Sequence, residues 1–280
     1  AEAEPLYRRA LEMTQRNQGG NHPNLAQALH NLALLEHIQG HYAKAEELYR
    51  QALTIRSTHK GADPVDLAQT LNNLAELLMA QRRHEDAERY LKQSRTLREK
   101  SLGKTHPAVA QTLRNLGRVE AHRGDFARAE SLYAQALSIQ NRSLGPDHPL
   151  VAETLAAIGN LAIRRNRPQE ALDPLSKALE IQEKNLGPDH PLVAEVLDQI
   201  ARMDAALGQT DDADRAFQRA IKIKTDKLGS QHPELARSLN HYADFLDTCK
   251  RTEEATRLRA RADSILKQSE ITTTTLRRKE

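Results

Sequence analysis

Residues 113–149 read LRNLGRVEAHRGDFARAESLYAQALSIQNRSLGPDHP. Ala110, Leu113, Leu116 and Val119 are spaced as one apolar stripe of a helix. Gly124-Asp125 interrupts that stripe, and Phe126, Ala129, Leu132, Tyr133, Ala136, Leu137 and Ile139 then trace a second one. Ser143-Leu144-Gly145 ends the second helix, and Pro146-Asp147-His148-Pro149 opens the next. Proline suits a first helical turn, where its missing N–H has no helical acceptor to lose. The stretch is therefore one helix pair with the start of another.

The same pair recurs along the chain. Leu29, Leu71, Leu113, Leu155, Leu197 and Leu239 are each 42 residues apart and open LHNLA, LNNLA, LRNLG, LAAIG, LDQIA and LNHYA. Ala45, Ala87, Ala129, Ala171, Ala213 and Ala255 each follow their leucine by sixteen residues. A fixed period of this size marks a stacked repeat array. No repeat in such an array buries its apolar face alone, so the recurring residues are core and function lies in what varies.

Composition narrows the classes. The chain has 280 residues, 3% aromatic, with no Trp, so its packing rests on Leu, Ala and Ile. A formal charge of +3, from 41 basic and 38 acidic residues, gives no clustered basic face with stacking aromatics and predicts no nucleic-acid partner. The single Cys249 excludes an internal disulfide and fits a reducing, cytoplasmic setting. No apolar run reaches the roughly 20 residues a membrane helix needs, so no membrane partner is expected. The first residues, AEAEPLYRRALEM, match AKAEELYRQALTI at 43–55. The expected organisation is a second helix of an incomplete repeat at 1–20, six 42-residue repeats at 21–266, and a polar, frayed or disordered tail at 267–280. The incomplete repeat reads as a cut from a longer protein, the alternative being a natural start on an odd capping helix, and its open edge predicts weak self-association.

Histidines 22, 106, 148, 190 and 232 each precede a repeat-opening proline, with Asp63 in the equivalent place. Successive copies sit on different layers, and Asp is a good N-cap, so capping is expected rather than metal binding. His37 and His41 have Gly40 between them and no third ligand nearby. Glu46, Glu88 and Glu130 recur with the repeat and read as solvated helix faces. No nucleophile–base pair, phosphate loop or ligand cluster stands out, so neither catalytic residues, a metal nor a cofactor is predicted.

The pattern L-x-N-L-A, then G-x-Y/F-x-x-A-E-x-L-Y-x-x-A-L-x-I, then L-G-x-x-H-P resembles the tetratricopeptide repeat, in the long 42-residue form of kinesin light chains and many bacterial proteins. The resemblance covers residues 1 to about 266. It implies an all-α fold, a right-handed α-solenoid of antiparallel helix pairs. Three departures stand out. Gln81-Arg82-Arg83-His84 and Asn166-Arg167-Pro168 replace the glycine turn. Pro174 falls either in the first turns of its helix or at a kink. Arg259 stands where Tyr49, Tyr133 or Phe217 stand in other repeats, as a solvent-facing final helix needs.

The resemblance further implies that first helices line a concave face where partner peptides lie. Positions one, two, five, eight and nine after the anchoring leucine are then the groove positions. Among them, Asn31, Asn72, Asn73, Arg114, Asn115, Arg118, Asn160, Arg164, Gln199 and Arg202 are the candidate peptide-binding residues. Amides can bond the N–H and C=O of an extended peptide, and Asn73 and Asn115 are assigned that clamp. Arginines match carboxylates, so Arg114, Arg118 and Arg164 favour an acidic segment. The competing reading is that these arginines pair with Glu76 and Glu153 on neighbouring helices. The expected function is a non-enzymatic scaffold binding an extended acidic peptide of a protein partner. The alternative is a structural or self-assembly module, or the regulatory arm of a larger signalling protein, acting through the solenoid edges.

Overall fold

The computed structural model describes residues 22–277, and the predicted half-repeat at 1–20 lies outside them. The fold is all-α, with twelve α-helices among the described residues. They form two compact units that divide between Arg123 and Gly124. The first holds α1 (Pro23–Ile38), α2 (Tyr42–Thr58), α3 (Pro64–Ala80), α4 (His84–Leu102) and α5 (Pro107–Arg123). The second holds α6 (Phe126–Leu144), α7 (Pro149–Arg164), a 3-10 turn at Pro168–Ala171, α8 (Leu172–Leu186), α9 (Pro191–Ala206), α10 (Thr210–Leu228), α11 (Pro233–Thr248) and, as far as Thr272, α12 (Thr252–Arg277). Helix α12 continues past residue 266, where the repeat count ends the array.

The first helix of each repeat begins as the sequence predicts. Nδ1 of His22, His106, His148, His190 and His232 accepts a backbone N–H two residues on, at 3.1–3.2 Å. Asp63 Oδ1 does the same for Val65 at 2.8 Å. All six satisfy an N–H that the helix itself cannot.

The turn inside each repeat needs a left-handed residue. Gly40, Gly124 and Gly208 supply it at φ of 80°, 87° and 77°, but Arg82, Asn166 and Lys250 hold the same place at 61°, 57° and 61°. The chain thus tolerates a β-carbon there at about 1–2 kcal/mol each for arginine and lysine. After the 3-10 turn, Pro174 is the third residue of α8 and so sits in its first turn, without a kink.

Two repeating ties hold the layers together. The first is buried. Positions 56, 98, 140, 182 and 224 carry Arg, Arg, Gln, Gln and Lys, all at most 5% exposed. Fourteen residues on, at the next first helix, stand Thr70, Thr112, Thr154, Val196 and Ser238. Arg56 donates to Thr70 Oγ1 and to Asp66 O at 2.8 Å. Arg98 Nη1 donates to Thr112 Oγ1 at 2.8 Å and Ala108 O at 2.7 Å. Thr154 Oγ1 donates to Gln140 Oε1 at 2.7 Å, and Lys224 Nζ to Ser238 Oγ at 2.8 Å. Only Val196 breaks the row, and Gln182 Oε1 is accordingly a buried acceptor with no hydrogen-bond partner. Val196→Thr is therefore expected to stabilise the second unit by about 1 kcal/mol, seen as a raised unfolding midpoint. A lowered midpoint would show that the hydroxyl cannot reach Gln182.

The second tie corrects the sequence reading of Glu46 and Glu88 as solvated, while Glu130 is exposed as that reading has it. Glu46 meets Arg83 at 2.8 Å, Glu88 meets Arg123 at 2.7 Å and Glu130 meets Arg165 at 2.9 Å, with Asp214 and Arg251 at 2.9 Å in the equivalent place. Each carboxylate reaches from a second helix to the end of the first helix of the following repeat or to the turn after it. The glutamate side chains are 14%, 12% and 64% exposed, so the first two are half-enclosed and the third lies open. The final helix is tied as well: Arg259 reaches Asp247 at 2.5 Å and Asp244 at 2.8 Å.

Apolar packing follows the repeating leucines and alanines. In the second unit Phe217, 1% exposed, lies 5.2 Å from the Tyr242 ring and 5.6 Å from Phe245. Gly159 stands where other repeats carry alanine or glycine, and a β-carbon there would meet Leu175 Cγ at 2.5 Å. That close approach brings α8 against α7 at Gly159.

Candidate functional site

On α1, α3 and α5 the first-helix residues form a polar row. His30, 3% exposed, faces Thr70 Oγ1 at 3.0 Å and the Asn73 amide at 3.4 Å, with its ring edge-on to Tyr49 at 5.6 Å. Burial, helped by Arg56, pushes His30 down to about 4, so it is neutral at physiological pH. One helix further, Glu76 is the hub. Asn72 donates to it at 3.2 Å, Asn115 at 2.6 Å, and Arg114 lies 3.7 Å away. Asn115 also donates to Asn72 Oδ1 at 3.2 Å.

The structure thus brings Asn72, Asn115 and Arg114 together on one carboxylate and places Asn73 against His30. All four are buried, at 0%, 0%, 6% and 9% in that order. The three amides are engaged within the chain and Arg114 Nη2 pairs with Glu76, which is the arrangement the competing reading described for that carboxylate. Asn31 is half-buried and accepts from Gln27 at 2.8 Å, and Gln27 accepts from Arg56 at 2.6 Å. Arg118 stands apart, exposed on α5.

In the second unit, Asn160, Gln199 and Arg202 are half-buried and Arg164 is exposed. Burial lowers the Arg202 pKa, Asp198 opposes that, and the neighbouring charges of Arg164 and Arg237 add to it. Asp198 is the element the sequence reading did not single out for a role. It is 5% exposed and holds His241 Nδ1 at 2.8 Å across α9 and α11. Burial alone would raise its carboxyl. The His241 hydrogen bond and charge, with Lys224 and Arg237, outweigh that and hold it well below the usual carboxylate range. The Gln199 Oε1 beside it is buried without a hydrogen-bond partner.

The phase of the repeat explains which predicted residues are open. Position one after the leucine is buried at His30, Asn72, Arg114, Ala156 and Asp198, because the adjacent first helix packs there. Position nine is exposed at Ile38, Ala80, His122 and Arg164, whereas position five is mixed: Leu34 and Arg118 are exposed, but Glu76, Asn160 and Arg202 are half-buried. The buried row at 56, 98, 140, 182 and 224 was missed, although reading it at the 42-residue phase would have found it. Among the described residues no three His, Cys, Asp or Glu side chains gather as metal ligands, and His41 pairs with Glu36 at 2.8 Å. No described helix is long and apolar enough to cross a membrane.

The profile of the tetratricopeptide repeat matches residues 1–58, 66–141, 112–184 and 175–226. The chain belongs to the tetratricopeptide repeat family. Solved structures agree on the fold of this tetratricopeptide repeat protein. BtubC (BKLC) from P. vanneervenii is 23% identical, with TM-score 0.61, over 81% of this chain and 91% of that one. A putative kinesin light chain with nearly identical repeats from Podosopora anserina is 24% identical, with TM-score 0.52, over 73% of this chain and 97% of that one. The Rap conjugation gene regulator of plasmid pLS20, in complex with the Phr* peptide, is 13% identical, with TM-score 0.73, over 97% of this chain and 70% of that one. No curated protein matches in sequence. As a tetratricopeptide repeat array, the chain is a protein-interaction scaffold of the long-repeat, kinesin-light-chain-like kind.

Proposed function

We propose that this scaffold is non-enzymatic and takes an extended acidic segment of a protein partner on the face formed by its first helices. The observation that carries the reading is Arg118. It is exposed on α5, one turn from the buried Arg114 and Asn115. The buried amides fix the helices that present it, so its forked donors stand on a rigid support. This divides the roles among the predicted residues. Within the first unit, Asn72, Asn73, Arg114 and Asn115 hold the platform and Arg118 meets the ligand; in the second unit, taken by itself, Arg164 and Arg202 are the corresponding candidates. A solved structure of similar fold carries a peptide, Phr*, which supports a peptide ligand for this architecture.

The test is selection of a randomised extended-peptide library on the protein at low and moderate salt. Acidic peptides should be enriched, less so at moderate salt. Arg118→Glu should weaken them about tenfold, the scale of one well-placed charge-assisted contact, with helicity unchanged. Arg118 replaces Arg114 as the test position, because a carboxylate at 114 would be buried beside Glu76. Enrichment that ignores charge, or that survives Arg118→Glu undiminished, sinks the proposal.

A further inference from the structure

On the opposite side of the first unit, α2 and α4 flank α3 without closing over it. Between them lies a groove of about 730 Å³. Leu67 and Leu71 of α3 form its floor, Leu53 of α2 and Leu97 of α4 its walls, and Tyr90 one end. The threonine hydroxyls along it do not face a ligand: Thr54 Oγ1 donates to Arg50 O at 3.1 Å, and Thr96 Oγ1 to Lys92 O at 3.0 Å. With those hydroxyls engaged, the walls are more apolar than their composition suggests.

The charges on the lining are Arg50 and Lys92, with no carboxylate. Nearby acids do not cancel them. Glu46 is shared by Arg50 and Arg83, each at 2.8 Å, and Asp86 by Arg83 at 2.8 Å and Arg89 at 3.0 Å. Three guanidinium groups thus face two carboxylates. Lys92 in turn shares Glu88 with Arg123, at 2.6 and 2.7 Å.

We propose that this groove docks a short amphipathic helix of a protein partner, apolar on the buried side and acidic along its flanks. Length and charge select that occupant. The α2 wall runs from Arg50 to Ser57, about 10 Å at 1.5 Å per residue, or two helical turns. Two turns place three or four apolar side chains at i, i+3, i+4 and i+7 over the leucine floor. Glutamates beside them reach Arg50 and Lys92. The surface is separate from the first-helix face, so one chain could hold two partners at once.

The probe is an 18-residue capped peptide with leucines at i, i+3, i+4 and i+7 and glutamates flanking them, titrated calorimetrically into the protein. Controls are the same peptide with lysines for glutamates, and dodecanoate below its micelle concentration. The glutamate peptide should bind, and Arg50→Glu with Lys92→Glu should weaken it at least tenfold. Thr54→Trp with Thr96→Trp, at two exposed positions, should abolish binding by filling the groove, with helicity retained. Arg118→Glu should leave it unchanged, which separates this surface from the first-helix face. No binding of the glutamate peptide, equal binding of the lysine peptide, or indifference to both double variants overturns the proposal. Binding of dodecanoate alone overturns it in favour of a lipid chain.

Discussion

Asp198→Ala is expected to cost the second unit about 3–5 kcal/mol, the scale for removing one partner of a buried charge pair. Asp198 is the buried anion among His241, Lys224 and Arg237. Lys224 is 1% exposed, and its hydrogen bond goes to the neutral Ser238 hydroxyl. Without the carboxylate, a buried ammonium keeps a hydroxyl partner but loses its nearby counter-charge. The effect depends on pH in a definite direction. Asp198 has its folded-state pKa depressed, so its contribution is complete above the unfolded carboxylate value, about 4. It is lost as pH falls through the ordinary carboxylate range towards the lower folded value. Melting curves of the two proteins should therefore differ most near neutral pH and converge in acid. A gap that is unchanged at low pH would mean that lost packing, not charge, is responsible. Hydrogen exchange should locate the weakening in α9 and α11.

Arg98→Ala is the second large effect, at about 3 kcal/mol in the first unit, from a cavity plus lost hydrogen bonds. Arg98 is 3% exposed, and burial pushes its guanidinium down to about 10 against the pull of Glu76. It joins α4 to α5 through Ala108 O and Thr112 Oγ1. A buried cation is itself costly, so a residue of similar volume without charge should recover part of the loss. Arg98→Met is accordingly expected to cost less than half as much as Arg98→Ala. Denaturant midpoints measured on both variants decide the cause. Equal losses would assign the stability to the hydrogen bonds alone, and a negligible loss for alanine would show that the tie is dispensable.

The fold was legible because its signal repeats. The anchoring leucines and the histidine–proline starts each give the same reading six times or nearly so, and one helix pair fixes the rest. The internal turn was legible in position even where Arg82 and Lys250 hide it, since the 42-residue phase marks the place without glycine. The candidate site was legible only in part. Helical periodicity says which residues share a face, but not how much of that face the next first helix covers. That is why Asn115, read as an open peptide clamp, and Asn72, read as a groove residue, are found buried on Glu76, and Asn73, the other clamp, is found buried against His30. It is also why Asp198, at a groove position, gave no hint of its partner His241, which lies 43 residues away. The ion pairs of Glu46 and Glu88 were hidden for a different reason. Their partners, Arg83 in a turn and Arg123 at the end of α5, stand at positions that differ by two within the repeat.

The buried row of bonds has a consequence for how the protein assembles. Each links residues 14 apart, from a second helix to the first helix that follows it. Closing so short a loop costs little chain entropy, and folds dominated by local contacts form quickly. During synthesis a repeat therefore needs only the next helix, not the distant end of the chain, to lock in place. Refolding should show a fast phase for such local closure. The slowest junction should be the one at Val196, where that early lock is missing.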